Sequence, residues 1–214
     1  MGRVPDINDI NYILANSGKD DALILEMEEY ARENNVPILD KISSKFLEQM
    51  ILVSKPESIL EIGTAIGYTS IKLAAHMDQK AYIDTVEVDE RMYETANRFI
   101  TMAKRNSKIN VIFDDAIKYL SRTNKTYDMI FLDCDKEVYP EIFRLVIEKL
   151  NTGGVFIVDN LLWHGFTAAG EVPEEKMIST EAIREFNNLF LTTEKLKSEI
   201  LPIGDGIGLG IKLA

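Results

Sequence analysis

Two short acidic runs carry the residues best suited to chemistry: Asp133-Cys134-Asp135-Lys136 and Asp159-Asn160-Leu161-Leu162-Trp163. Brought together, Asp133, Asp159 and Asn160 would offer three hard oxygen donors. Such donors suit Mg²⁺ or a similar divalent cation and leave positions open for water or a substrate oxygen. Aspartates at these points are equally suited to capping the helices that follow, so spacing alone leaves both readings standing.

A third run, Glu61-Ile62-Gly63-Thr64-Ala65-Ile66-Gly67-Tyr68-Thr69-Ser70, contains two glycines. They permit a tight strand-to-helix turn and close approach of a ligand to the backbone, and a helix starting near Tyr68 and Thr69 would present unpaired N–H groups there. A nucleotide-like cofactor fits, but a dinucleotide fingerprint starting at Gly63 would need glycines where Ala65 and Tyr68 stand, which disfavours a nicotinamide cofactor. For the loop alone, a plain turn is an equal alternative. Glu87, about 20 positions beyond Gly67, is placed to accept hydrogen bonds from two ribose hydroxyls, and Asp115 could receive an adenine amino group. Each acid by itself is as well explained as a cap or a solvated charge; three acidic strand ends in succession are harder to dismiss.

These groups need strands to deliver them. From Ser58 onward, short apolar runs at 58–62, 82–87, 111–113, 129–132 and 155–158 alternate with amphipathic stretches long enough for crossover helices. That alternation predicts an α/β fold with a doubly wound, mostly parallel sheet. In such sheets ligands bind beyond the carboxyl ends of the strands, where all the residues named so far would lie. Residues 200–203 and 207–211, joined through Gly204-Asp205-Gly206, have hairpin spacing, so the last strands should be antiparallel. Before the sheet, helical periodicity over 20–34 and 40–53, divided by Pro37, predicts an N-terminal helical layer within residues 1–54. The segment from Phe166 to Ser179, with Gly170 and Pro173, reads as a mobile loop over the acceptor or a plain surface connection.

With 214 residues the chain has room for one well-buried domain spanning 1–214. No apolar run is long enough for a membrane span. Met1-Gly2-Arg3-Val4-Pro5-Asp6 lacks the order of a secretory leader, and the single Cys134 excludes an intramolecular disulfide framework, so the expected location is the cytoplasm. A net charge of −11 argues against indiscriminate nucleic-acid binding. Basic clusters at Arg98, Lys104, Arg105 and Lys108, and at Lys118, Arg122 and Lys125, read as solvated faces.

The E-x-G-x-x-x-G loop from Glu61 to Gly67, followed by an acidic strand end, resembles class I S-adenosylmethionine-dependent methyltransferases. Their fold is Rossmann-like, with an antiparallel C-terminal strand in a seven-stranded sheet. The two acidic runs are similar to the D-A-D-K and D-N-x-L-W motifs of the caffeoyl-CoA and catechol O-methyltransferase family. The resemblance implies metal ligation by Asp133, Asp159 and Asn160, with Asp133 also beside the cofactor, and Lys136 as general base. It implies further that Glu61, Gly63, Gly67, Tyr68, Thr69, Glu87 and Asp115 hold S-adenosylmethionine and that the protein is a homodimer. Cys134 stands where that family has alanine and reads as a small buried filler.

A metal-chelating acceptor with two adjacent oxygens suits this chemistry; catechols qualify, and so does 5-hydroxyuridine. Residues 29–38, 61–68 and 203–206 resemble bacterial tRNA 5-hydroxyuridine methyltransferases, which implies tRNA as acceptor. Asp135 and Trp163 resemble the branch acting on small catechol-like phenols. Trp163 and His164 could stack on a base or ring, or simply pack. Two other classes fit the residues less well: a cofactor-binding protein without transfer activity and a nicotinamide-dependent oxidoreductase.

Overall fold

A computed structural model describes residues 6–214; the leader reading of Met1 to Pro5 lies outside the described residues. The seven strands are β1 (Ser58–Ile62), β2 (Tyr82–Glu87), β3 (Ile109–Phe113), β4 (Tyr127–Leu132), β5 (Leu150–Val158), β6 (Leu196–Leu201) and β7 (Ile207–Lys212), in the order β3-β2-β1-β4-β5-β7-β6. Pairings among β1 to β5 are parallel, whereas β7 runs antiparallel to both β5 and β6. The hairpin expected at the end is present, but its first strand crosses to the sheet edge, leaving β7 alone against the common direction.

Alternation along the strands sorts the core onto the two sheet faces. Ile59, Met129, Phe131 and Ile157 point to one face, where they meet Met27 of α2 (Ala22–Asn34), Leu47 and Ile51 of α3 (Lys41–Ser54), Leu73 of α4 (Tyr68–Ala74) and Phe99 of α5 (Glu90–Met102). Leu60, Ile130, Leu132 and Phe156 point to the other. They meet Leu120 of α6 (Ala116–Arg122), Phe143 of α7 (Tyr139–Lys149) and Phe186 and Phe190 of α8 (Glu174–Thr192). Interior strands are therefore buried on both faces: β1 buries all five of its residues, Ile59, Leu60 and Ile62 together with Ser58 and Glu61.

Sequence periodicity did not reveal α1 (Ile7–Asn16), which buries none of its residues and so lacks a core-facing stripe. Its signal is the cap instead: the Asp6 side chain accepts from Asn8 N and Asp9 N, and Asp9 returns the bond. The segment 166–179, read as a mobile loop or a plain surface connection, is shorter than expected, because its second part is helical. Residues Trp163–Ala168 form tight turns broken by a kink at His164 and Gly165, and α8 starts at Glu174, with Pro173 ahead of it and Glu174 and Glu175 facing the positive helix end. Arg184 donates to the carbonyls of Phe166, Thr167 and Ala169 at 3.1, 3.1 and 2.6 Å, which ties the connection down. Among the described residues, no helix is long and apolar enough to cross a membrane.

Candidate active site

A cavity of about 1200 Å³ opens at the carboxyl ends of the parallel strands. The β1–α4 loop forms one wall. Gly63, Ala65 and Gly67 have φ of +98°, +46° and +80°, and Gly63 is pressed so closely on β4 that an added Cβ would overlap the Asp133 carbonyl oxygen. Glu87, at the end of β2, fixes this loop by accepting from Ala65 N at 2.8 Å and from Val88 N and Asp89 N at 2.9 and 2.8 Å. Gly63, Tyr68, Thr69, Glu87 and Asp115 all line the cavity, as does Asp133. Asp115 also caps α6 through Lys118 N, so its helix-cap role is real and its side chain is partly committed. The Tyr68 hydroxyl donates to Glu28 at 3.0 Å.

Glu61 and Gly67 do not line the cavity. Gly67 is the N-cap of α4. Glu61 lies under the loop, where its Oε2 accepts hydroxyl bonds from Ser70 and Thr85 while its Oε1 is buried with no hydrogen-bond partner. Burial pushes its carboxyl up to about 7, against the lowering effect of those hydroxyls.

Neighbouring strands β4 and β5 bring the two acidic runs together. Leu132 pairs with Val158, Asp133 N donates to Ile62 O at 2.9 Å and Asp159 N to Leu132 O at 3.1 Å, so Asp133, Asp159 and Asn160 reach the same end of the cavity. Asp159 is 4 % exposed and its Oδ1 has no hydrogen-bond partner. Burial, and next the charge of Asp133, push its carboxyl up to about 7. Among the described residues no group of three or more His, Cys, Asp or Glu is placed to share an ion; the third oxygen donor here is the Asn160 amide. A buried carboxylate oxygen without a partner, beside a second aspartate and an amide, suits a hard divalent cation.

Lys136 opens a single 3-10 turn, Lys136–Val138. Its Nζ donates to Asp133 Oδ1 at 2.8 Å and to the Tyr139 hydroxyl at 2.9 Å. Tyr139 went unnoticed in the sequence, although it stands three residues after Lys136, on the same side of the turn. Cys134 is partly buried and lines the cavity, so it is not the fully buried filler expected; desolvation pushes its thiol up, which argues against a nucleophile. Ile38 and Asp40, Trp163, His164, Lys176 and Asp205 also line the cavity; the Lys176 ammonium lies 5.5 Å from the Trp163 ring centre. Asp205 was also missed as a site residue.

Strand order, the glycine loop after β1 and the acids after β2, β4 and β5 together define the class I methyltransferase fold and site. The model of the O-methyltransferase family matches residues 15–213, and the chain belongs to that family; it is an S-adenosylmethionine-dependent O-methyltransferase. Caffeoyl-CoA O-methyltransferase of Stellaria longipes is 29% identical over 174 residues, covering 78% of this chain and 72% of its own. Flavonoid 3',5'-methyltransferase of Vitis vinifera is 28% identical over 196 residues, covering 86% and 81%. The fold is shared with an O-methyltransferase from Bacillus cereus solved in complex with SAH, at TM-score 0.85 and 23% identity over 94% of this chain and 96% of that one.

Proposed function

We propose that the protein methylates one of two adjacent oxygens of its acceptor with the help of a divalent cation, Mg²⁺ or similar, held by Asp133, Asp159 and Asn160, and that this acceptor is the wobble 5-hydroxyuridine of tRNA. The observation that carries the metal reading is the meeting of Asp133, Asp159, Asn160 and Lys136 on the wall of one cavity, beside the β1–α4 loop. When bound, the cation would lower the pKa of an acceptor hydroxyl. S-adenosylmethionine supplies a sulfonium methyl, so that an O–CH₃ bond forms as the S–CH₃ bond breaks. Lys136, 9 % exposed and fixed by two partners, enters the step as the neutral amine, one ammonium proton having first passed to solvent, and in that form receives the acceptor proton. Glu87 is assigned to the ribose hydroxyls and Asp115 to the adenine amino group; Glu61 and Gly67 act from beneath, by shaping the loop. Walls on both sides hold the reactants at attack distance, where most of the acceleration arises.

For the acceptor, support comes from the three stretches that resemble tRNA 5-hydroxyuridine methyltransferases: parts of each, at 36–38, at 62–65 with Tyr68, and at 204–205, line the same cavity. A small catechol-like phenol is the second reading. It is favoured by the acidic side chains that far outnumber Lys136 and Lys176 around the cavity, and by the phenolic acceptors in the names of the two plant relatives. Several basic residues are engaged within the chain: Lys108 with the Met77 and Asp78 carbonyls, Arg122 with Asp114 and Lys125 with Asp84. We place the reaction in the cytoplasm and assign a homodimer, for which the exposed Ile7 and Tyr12 of α1 offer apolar surface.

The test is methyl transfer from S-adenosylmethionine with and without Mg²⁺, to tRNA carrying wobble 5-hydroxyuridine and to simple catechols. Mg²⁺-stimulated methylation of the tRNA is expected. Turnover of catechols without activity on tRNA would reverse the choice of acceptor, and S-adenosylmethionine binding without transfer to either would leave a cofactor-binding protein.

A further inference from the structure

The chain just beyond Asp159 is held in an unfavourable shape. Asn160, Trp163 and His164 have φ of +64°, +48° and +54°, followed by Gly165 at +85°, a region that disfavours side chains with a Cβ. Such a conformation persists only where its surroundings impose it. Here the β6–β7 turn does so. Gly206 O accepts from Leu161 N at 2.9 Å and Asp205 O from Leu162 N at 2.8 Å. The two Asp205 carboxylate oxygens accept from His164 N at 2.7 and 3.0 Å. The contact is tight: a Cβ on Gly206, itself at φ +90°, would lie 2.7 Å from Leu162 N, and one on Gly204 would fall on Ser43 Oγ and Asp40 Oδ2 at the start of α3. The turn is thus wedged between this loop and the start of α3.

We infer that Asp205 is a positioning residue: by clamping His164 N it sets the Asn160–Gly165 loop, and with it the aim of the Asn160 amide and the Trp163 ring. This rests on the metal reading above. A carboxylate accepting a backbone N–H is a charge-assisted bond, stronger than the neutral kind; groups bonded directly to metal ligands change affinity by about 10- to 100-fold when removed, and Asp205, acting one step further out through the His164 backbone, belongs at the lower end of that range. Asp205 touches the loop of the cation site and not the β1–α4 loop, so it should govern the cation and leave the methyl donor alone.

The experiment is titration calorimetry of the full chain with Mn²⁺ and, separately, with S-adenosylmethionine, for wild type, Asp205→Ala and Asp205→Asn. Asp205→Ala should weaken Mn²⁺ by about 10-fold with S-adenosylmethionine affinity unchanged. Asp205→Asn, which keeps one accepting oxygen, should fall between the two. Wild-type Mn²⁺ affinity in Asp205→Ala, or equal losses for Mn²⁺ and S-adenosylmethionine, would overturn the assignment; if the alanine variant fails to fold, wild-type Mn²⁺ affinity in Asp205→Asn overturns it. A wild-type protein that binds no Mn²⁺ would instead remove the metal reading, and this proposal with it.

Discussion

Lys136 Nζ lies between Asp133 Oδ1 at 2.8 Å and the Tyr139 hydroxyl at 2.9 Å, so the proposed base is fixed by one group from the cation site and one from the core. Tyr139 is fully buried, and burial holds its hydroxyl protonated, with a pKa well above the ordinary value. It can therefore accept from Lys136 while donating to the Asp159 carbonyl at 3.3 Å. Lys136→Met should lower kcat by about 10²- to 10⁴-fold, the usual scale for general-base catalysis. Tyr139→Phe removes one partner and should cost about 10-fold, near the value of one hydrogen bond. Steady-state kinetics should show both losses in kcat, with the KM for S-adenosylmethionine little changed.

Cation binding should depend on pH through Asp159. Its carboxyl titrates at about 7 because burial, reinforced by Asp133, opposes the charged form. Below that value a cation must displace a proton, so Mn²⁺ affinity should rise with pH up to about 7 and level off above it. Calorimetry at pH 6 in buffers of different ionisation enthalpy should register proton release. A heat independent of buffer would contradict the assignment of Asp159 as a ligand.

Much of this was legible beforehand because interior strands and acidic strand ends leave local marks. The apolar run 58–62 and the pair Asp159-Asn160 need no distant information to be noticed. What escaped the sequence depends on contacts across the chain. Tyr139 reads as an ordinary helix residue until the turn at Lys136–Val138 aims it at Nζ, and Asp205 reads as turn filler until β7 inserts between β5 and β6 and carries it to His164. Glu61 was misplaced in the opposite sense: its motif marks the cofactor loop, yet its carboxylate points into the protein.

That buried carboxylate makes a stability prediction. Glu61 titrates at about 7 in the fold against an ordinary value of 4.5, since burial penalises its charge. Between these values the folded state binds more protons than the unfolded one, so this group's contribution falls as pH rises from about 4.5 to 7 and stays lost above. Glu61→Gln keeps an oxygen to accept from Ser70 and Thr85 and removes the charge. It should flatten the decline of the melting temperature between pH 5 and 8 and raise that temperature at pH 8, at about 2–4 °C for each kcal/mol regained. A variant as steeply pH-dependent as wild type would show that Glu61 is not the cause.

Glycines 63 and 153 share a left-handed backbone, with φ of +98° and +78°, but not a neighbourhood. A Cβ at Gly153 meets nothing within 4 Å, whereas one at Gly63 would collide with the carbonyl of Asp133. Gly153→Ala therefore tests backbone strain alone and should cost about 1 kcal/mol. Gly63→Ala adds a clash that can be relieved only by parting β1 from β4, the two strands that bring the cofactor loop beside the acidic cluster. Its cost should reach about 3 kcal/mol or more, measured by urea denaturation, and S-adenosylmethionine binding should be lost at temperatures where the variant is still folded. Equal costs for the two substitutions would mean that the loop is not held against Asp133, and the cavity would then lack the wall on which the cofactor assignment depends.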